Sequence, residues 1–253
     1  MEVDSIVVNK NKISLTVNWL REQVEKAGAS GLLVGLSGGV DSALCAFLIK
    51  EAFPEDSLGV ILPCESDPRD KEDALKVINA CNLRKMEIDL TDIHRDLFAK
   101  IKDEIPPEGV LENNFRSSRA NLKARLRMST LYAIANFLNY LVVGTDNKAE
   151  YYTGYFTKYG DGGVDILPLA NLTKREVREW AKELGVPQDI ISKPPTAGLW
   201  PNQTDEGELG ITYETIDDFL EGKQIPEKER LIIERLHRVS EHKRQLPLSP
   251  PKF

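Results

Sequence analysis

Two kinds of residue are scarce in this chain: paired cysteines and a surplus of basic side chains. Its 253 residues include three cysteines, Cys45, Cys64 and Cys81, each standing alone with no C-x-x-C pair. That spacing argues against a disulfide framework or a thiolate zinc site and fits a reducing compartment. Lysine and arginine number 33 against 40 aspartates and glutamates, a net charge of −7. An acidic balance of that size excludes broad, sequence-independent nucleic-acid binding but leaves room for local basic pockets. No apolar run is long enough to span a membrane, and the opening "MEVDSIVVNKNKIS" lacks the basic head and apolar core of a targeting segment. The expectation is a cytoplasmic chain without a membrane or nucleic-acid partner. No internal repeat, low-complexity tract or linker divides it, so one domain over residues 1–253 is expected.

Apolar runs alternate with helical patterns. Ile13 to Lys26 has helical spacing, Gly31 to Leu36 reads as a buried strand, and Val40 to Ala52 as a helix ended by Pro54. Ser57 to Leu62 is a second strand stopped by Pro63. A helix over Arg69–Cys81, a strand over Lys85–Ile88 and a helix over Thr91–Lys102 follow. After the turn residues Pro106-Pro107-Glu108-Gly109 come a long helix, Arg119–Asn139, and a buried strand, Tyr140–Gly144. Such alternation predicts an α/β fold of three layers, α/β/α, with a mostly parallel, Rossmann-like sheet. Ligands gather at the carboxyl ends of such strands, so Leu36-Ser37 and Gly144-Thr145, roughly 100 residues apart, become candidate neighbours.

Downstream, Tyr151 to Leu172 is too long for a plain connector and reads as a functional loop. Thr173 to Leu184 is a helix opened by a capping box, Thr173 with Glu176, and closed by Gly185. Lys193 to Gly210 is another long loop, stiffened by Pro195 and Pro201 and carrying Trp200. Tyr213–Leu220 and Glu227–Lys243 read as helices.

The narrowest signal is Gly35-Leu36-Ser37-Gly38-Gly39-Val40-Asp41-Ser42, between the first strand and its helix. Glycines there let a ligand approach the backbone, and the helix start offers unpaired N–H groups to an anion. The lysine of a G-x-x-x-x-G-K-[ST] loop is missing, which argues against the usual P-loop enzymes. Asp41 would repel a phosphate unless a metal ion lay between them. The bland reading is a Gly-rich turn with a dipole-favoured acid. S-G-G-x-D-S in this position resembles the pyrophosphate loop of the N-type ATP pyrophosphatases, whose fold is adenine nucleotide α-hydrolase-like. Further on, "VVGTDNKAEYYTGYFTKYGDGGVDILPLANLTKREVREWAKELGVP", "TAGLWPNQTDEGELGITYETID" and the late "HKR" are similar to the NAD synthetases. The resemblance covers most of the chain from about Gly31 onward.

That resemblance implies ATP-dependent amidation of deamido-NAD (nicotinic acid adenine dinucleotide) with ammonia through an adenylated intermediate. It implies Asp41 and Glu150 as ligands of Mg2+, and Gly35 to Ser42, Thr145, Lys174 and Thr196 as contacts of ATP and pyrophosphate. It implies Arg125, Lys158, Asp165, His242 and Lys243 at deamido-NAD. Plainer readings stand beside these: Thr145 as a helix N-cap, Lys174 as an exposed first-turn lysine, His242 as an exposed helix residue. Asp161 and Asp165 are both open as a base for the amine. The synthetase pattern starts so early that no amidotransferase domain is expected ahead of it, and free ammonia or a donor subunit is the expected nitrogen source. Family members are homodimers, with Met128-Ser129-Thr130 a candidate for the boundary. The rival, a tRNA-thiolating pyrophosphatase, fits poorly with the net charge and the isolated cysteines.

Overall fold

The strand expected at Gly31 runs Gly31–Gly35 (β1), and its central residues Leu32, Leu33 and Val34 have no exposed surface. Side chains alternate along a strand. Leu32 and Val34 therefore enter one hydrophobic core and Leu33 another on the opposite face. This computed structural model describes residues 2–106, 112–200 and 203–251. Pro107, Glu108 and Gly109 of the expected turn, and Pro201 of the expected stiffened loop, lie outside the described residues.

Around β1 the chain runs α1 (Glu2–Ala27), α2 (Val40–Ala52), β2 (Ser57–Ile61), α3 (Pro68–Cys81), β3 (Arg84–Glu87), α4 (Thr91–Glu104), α5 (Glu112–Leu138) and β4 (Tyr140–Val143). The four strands form one parallel sheet in the order β3-β2-β1-β4. α1, α2 and α3 cover one face, with Leu20, Leu44, Leu48 and Val77 in their core, and α5 covers the other through Ile134 and Ala135. This is the three-layer, Rossmann-like architecture of the adenine nucleotide α-hydrolases. The edge strand β3, "RKME", is charged and exposed, as an unpaired edge should be.

The second half adds α6 (Lys148–Thr153), α7 (Lys174–Leu184), α8 (Gln188–Ile191), α9 (Asp205–Leu209), α10 (Tyr213–Leu220), α11 (Glu227–Val239) and a 3₁₀ turn, Glu241–Lys243. α7 joins the first core through Val177, Trp180 and Ala181. Full burial of a side chain such as Val177 contributes about 1.5–3 kcal/mol, so the helix start that carries Lys174 is firmly anchored. Its expected caps are present: Thr173 and Glu176 form the capping box, and Gly185 takes the left-handed conformation at the end. A third core joins Ala149 of α6, Leu209 of α9, Ile211 of the loop that follows, Tyr213 and Ile216 of α10, and Ile233 of α11.

α9 lies inside a segment expected to be a loop, and α6 runs three residues into another expected to begin at Tyr151. α6 has six residues and α9 five, less than two turns, so neither shows the periodicity by which a helix is read. What starts them is capping: Asn147 with Glu150 for α6, and the Thr204 hydroxyl for α9. α11 also ends at Val239, four residues before the expected end, and the rest tightens into the 3₁₀ turn.

Candidate active site

β1 and β4 are parallel neighbours, with Val34 opposite Val143. The connection after β1 leads into α2 and the one after β4 leads into α6, so their carboxyl ends open a crevice of the kind where α/β sheets bind ligands. A cleft of about 800 Å³ lies there. Its walls include Ser37, Asp41, Thr145, Glu150, Lys174 and Thr196. Four segments distant in sequence thus converge on one cavity.

The loop after β1 is prefolded. Gly38 has φ +79°, and a Cβ there would sit 2.6 Å from the Asp70 carbonyl oxygen, so only glycine fits. Ser37 Oγ lies 3.1 Å from Ser42 Oγ, the Gly39 N–H donates to Ser37 Oγ at 3.3 Å, and Ser42 Oγ donates to the Gly39 carbonyl at 3.0 Å. Gly39 is the N-cap of α2 and no side chain caps that helix. Its first N–H groups therefore remain available to an anion at the positive end of the helix dipole. Gly35, Leu36, Ser37, Gly39, Val40, Asp41 and Ser42 all line the cleft, while Gly38 sits behind it.

The missing lysine of the loop arrives from elsewhere. Lys174 is 2% exposed, and its Nζ donates to Asp41 Oδ2 at 2.5 Å and Glu150 Oε1 at 3.2 Å. The plainer reading of an exposed first-turn lysine is therefore corrected: Trp180 and Val177 pin α7, and the side chain turns inward. Burial alone would lower its pKa, but the two carboxylates outweigh it and hold the ammonium above its usual range. Burial and the Asp41 charge push Glu150 up to about 7 despite Lys174. Asn147 Nδ2 donates to the second Asp41 oxygen at 2.8 Å. Asn147 Oδ1 also takes the N–H groups of Ala149 and Glu150, so the N-cap of α6 is Asn147 and not Thr145. Thr145 is left lining the cleft.

Among the described residues no group of three or more histidine, cysteine, aspartate or glutamate side chains is arranged to hold a metal ion. Asp41 and Glu150 still fit Mg2+, because both carboxylates converge on one point, now neutralised by Nζ of Lys174. Mg2+ ordinarily takes one or two carboxylates and completes its shell with phosphate oxygens and water. More acid lies beside them. Asp146 is buried, and burial followed by the charges of Asp161, Glu150 and Asp41 pushes its carboxyl well up. Asp161 opens on the cleft, holds the Thr157 N–H at 3.0 Å, and is also raised by the protein packed around it.

The residues implied at deamido-NAD divide. Lys243 lines the cleft and donates to the carbonyls of Gly154 and Phe156 at 2.8 and 2.7 Å. Arg125, Lys158, Asp165 and His242 lie outside it. Arg125 is exposed and reaches the Lys158 carbonyl at 3.3 Å; Lys158 in turn donates to the carbonyls of His242 and Gln245. Asp165 accepts from the Val142 N–H at 2.8 Å and the Tyr132 hydroxyl at 3.0 Å. His242 is exposed, its Nδ1 3.2 Å from the Val239 carbonyl.

Several site residues escaped the sequence reading. On α5 the helical spacing turns Lys123 and Arg127, four apart, toward the end of β2, and Arg127 donates to the Leu62 carbonyl at 3.0 Å. Glu65, with φ +53°, collects Arg119 at 2.6 Å, Lys123 at 3.5 Å and the buried His94 at 3.0 Å. Lys123 also donates to the Leu199 carbonyl in the loop that holds Thr196. Lys193 bridges Asp70 and Asp73 at 3.0 and 2.8 Å beside Gly38. The only sequence sign of these was the i,i+4 spacing of basic residues on α5.

Comparison with known proteins adds an independent line. The family model described as NAD synthase matches residues 12–247. The NH(3)-dependent NAD(+) synthetase of Alkaliphilus oremlandii is 59% identical over 244 residues, 96% of this chain and 97% of its own. The solved NMN synthetase from Francisella tularensis has a TM-score of 0.89 at 42% identity, covering 96% of this chain and 98% of that one. The NH3-dependent NAD synthetase from Campylobacter jejuni has a TM-score of 0.76 at 28% identity, over 96% and 99% of the two chains.

Proposed function

This chain belongs to the NAD synthase family, and we propose that it amidates deamido-NAD with ammonia at the expense of ATP, giving NAD, AMP and pyrophosphate. The observation that supports this most strongly is the single cleft that joins an uncapped helix start and two serines to the Asp41–Lys174–Glu150 triad.

ATP lies with its β and γ phosphates on the Ser37–Ser42 loop, held by the N–H groups of α2 and the two hydroxyls. Asp41 and Glu150 hold Mg2+, which when bound draws charge from the phosphate oxygens. Lys174 stands against the same charge, and Thr145 and Thr196 contact the nucleotide. The nicotinate carboxylate attacks the α-phosphorus, the bond to the bridging oxygen breaks, and pyrophosphate leaves into the loop. Ammonia then adds to the carbonyl of the mixed anhydride, loses a proton, and expels AMP. No protein nucleophile is required, so catalysis is positioning and charge stabilisation. For the departing proton, Asp161 is better sited than Asp165, whose two oxygens are already engaged by Val142 and Tyr132.

Arg125, Lys158, Asp165 and His242 serve deamido-NAD from outside this cleft, an arrangement that suits a second subunit completing the site. We take the chain as one catalytic unit, a homodimer in the cytoplasm. Phe137 of α5, 90% exposed, and the Met128–Thr130 stretch lie on the helix expected at the boundary. A monomeric mass by light scattering at micromolar protein would refute the dimer.

A second reading concerns the length of the acceptor. The likeness to an NMN synthetase at TM-score 0.89 makes nicotinic acid mononucleotide a rival substrate. Mass spectrometry of incubations with ATP, Mg2+, ammonium and either acceptor tests both readings. NAD and AMP in equal amounts from deamido-NAD supports the first, preferential NMN formation the second, and no amide from either acceptor overturns the reaction.

A further inference from the structure

Tyr213 touches two members of the charged triad, Lys174 and Glu150. It is the first residue of α10, and its side chain is 1% exposed. Its ring lies under the Lys174 ammonium, 4.7 Å from Nζ to the centroid. Its hydroxyl is 3.0 Å from Glu150 Oε1 and 3.1 Å from Asp205 Oδ2. One helical turn later Asp217, also buried, accepts the backbone N–H groups of Lys174 and Arg175 at 3.1 and 2.8 Å. A single face of α10 therefore grips Lys174 at both ends, backbone and ammonium.

Asp205 extends the chain of contacts outward. Its other oxygen takes the Tyr155 hydroxyl at 3.1 Å, and its backbone N–H donates to the Pro195 carbonyl at 3.2 Å. Pro195 precedes Thr196 in the loop that walls the cleft. A hydroxyl has one proton, so Tyr213 donates to Glu150 or to Asp205 but not to both at once. Whichever carboxylate is neutralised by another partner releases the hydroxyl to the other.

We propose that Tyr213 is a positioning residue whose hydroxyl couples the 193–200 loop to the Asp41–Lys174–Glu150 triad, so that Thr196 and the Lys174 ammonium take their places together. It does not touch substrate. The inference rests on the reading of this cleft as the ATP and pyrophosphate site. It concerns the ATP side, because among the described residues no side-chain hydrogen bond links Tyr213, Asp205 or Tyr155 to Arg125, Lys158, Asp165, His242 or Lys243.

Y213F removes the hydroxyl and keeps the ring. Hydrogen bonds to charged groups of this kind account for about a tenfold change or more. Expected for Y213F are an ATP KM raised about tenfold, a matching loss of affinity for Mg2+–pyrophosphate by calorimetry, and a deamido-NAD KM within about twofold of wild type. A merely structural role would lower the unfolding temperature and the active fraction while leaving the ATP KM and pyrophosphate affinity where they were. That result overturns the proposal, as does an equal rise in both KM values. If Y213F does not fold, D205N, which keeps the shape and loses the charge, must raise the ATP KM in the same direction or the coupling is refuted. The wild type separates the two layers. Failure to form NAD while binding pyrophosphate sinks the reaction but leaves the Y213F binding comparison decisive. Failure to bind pyrophosphate sinks the reading of the loop, and the coupling with it.

Discussion

Replacing Lys174 with methionine keeps most of the side-chain volume and removes only the ammonium. In the native protein that ammonium stands between Asp41 and Glu150, which are 16% and 13% exposed. Removing one partner of a buried ion pair costs about 3–5 kcal/mol, because the remaining charge is left in a poorly solvated place. Here two charges remain, but one is partly relieved. Glu150 is already pushed up to about 7 with Lys174 present, so without it the carboxyl takes a proton at neutral pH. A net loss of about 2–4 kcal/mol follows, or about 10 °C in unfolding temperature for a chain of this length. Activity should fall further than stability alone explains, since in the proposed reaction the ammonium also faces phosphate charge in the transition state. Loss of one such preorganised group costs about a hundred- to a thousandfold in kcat. Differential scanning calorimetry with steady-state NAD formation checks both numbers. K174M unfolding within about 2 °C of wild type, with kcat within about threefold, would show that Lys174 is an ordinary surface-type lysine that this reasoning has overvalued.

G38A should lower the unfolding free energy from urea titration by about 1–3 kcal/mol, since φ +79° and the Asp70 carbonyl 2.6 Å away both oppose a Cβ; an unchanged midpoint refutes the account of the loop. Chelation of Mg2+ should abolish turnover, and D41N should raise the Mg2+ concentration for half-maximal rate; D41N with the wild-type Mg2+ dependence excludes Asp41 as a ligand. His94 is buried among Glu65, Lys123 and Arg119, and burial holds its imidazole below the usual value. The unfolded chain therefore takes up the proton first, and stability is lost as pH falls from about 6.5 toward the lower folded value. Urea midpoints at about pH 7.5 and about pH 5.5 should converge in H94Q relative to wild type, and an identical acid loss in the two proteins would falsify that role.

Three of the four strands, β1, β2 and β4, were legible because they are almost wholly buried or end at a turn signal. "GLLVG" and "YLVV" have no polar side, and Pro63 stops β2 close to where an apolar run must yield to a loop. The capped helix α7 was equally plain, since Thr173, Glu176 and Gly185 act within a few residues of one another. α6 was not, although its cap is as complete, because six residues are too few for a periodic signal and Asn147 stands beside Thr145, which offers the same chemistry. The difference is whether the deciding interaction is local. Caps and buried strands are local, so the chain declares them.

The charged centre is the opposite case. The loop carries the acid and the hydroxyls but no lysine, and the cation comes from 133 residues further on. Its inward turn depends on Trp180 and Val177 entering the first core, and its grip depends on Asp217 and Tyr213 of α10, which reads only as a short helix. No window of sequence contains those parts together. The arrangement also reconciles an acidic protein with an anionic substrate. Net charge is −7, yet at the proposed phosphate site the uncapped N–H groups of α2 and one ammonium with shared carboxylates set the local field. An anion that arrives with its own divalent cation meets carboxylates that the cation can occupy, and their repulsion for a bare phosphate becomes selectivity for the metal-bound one.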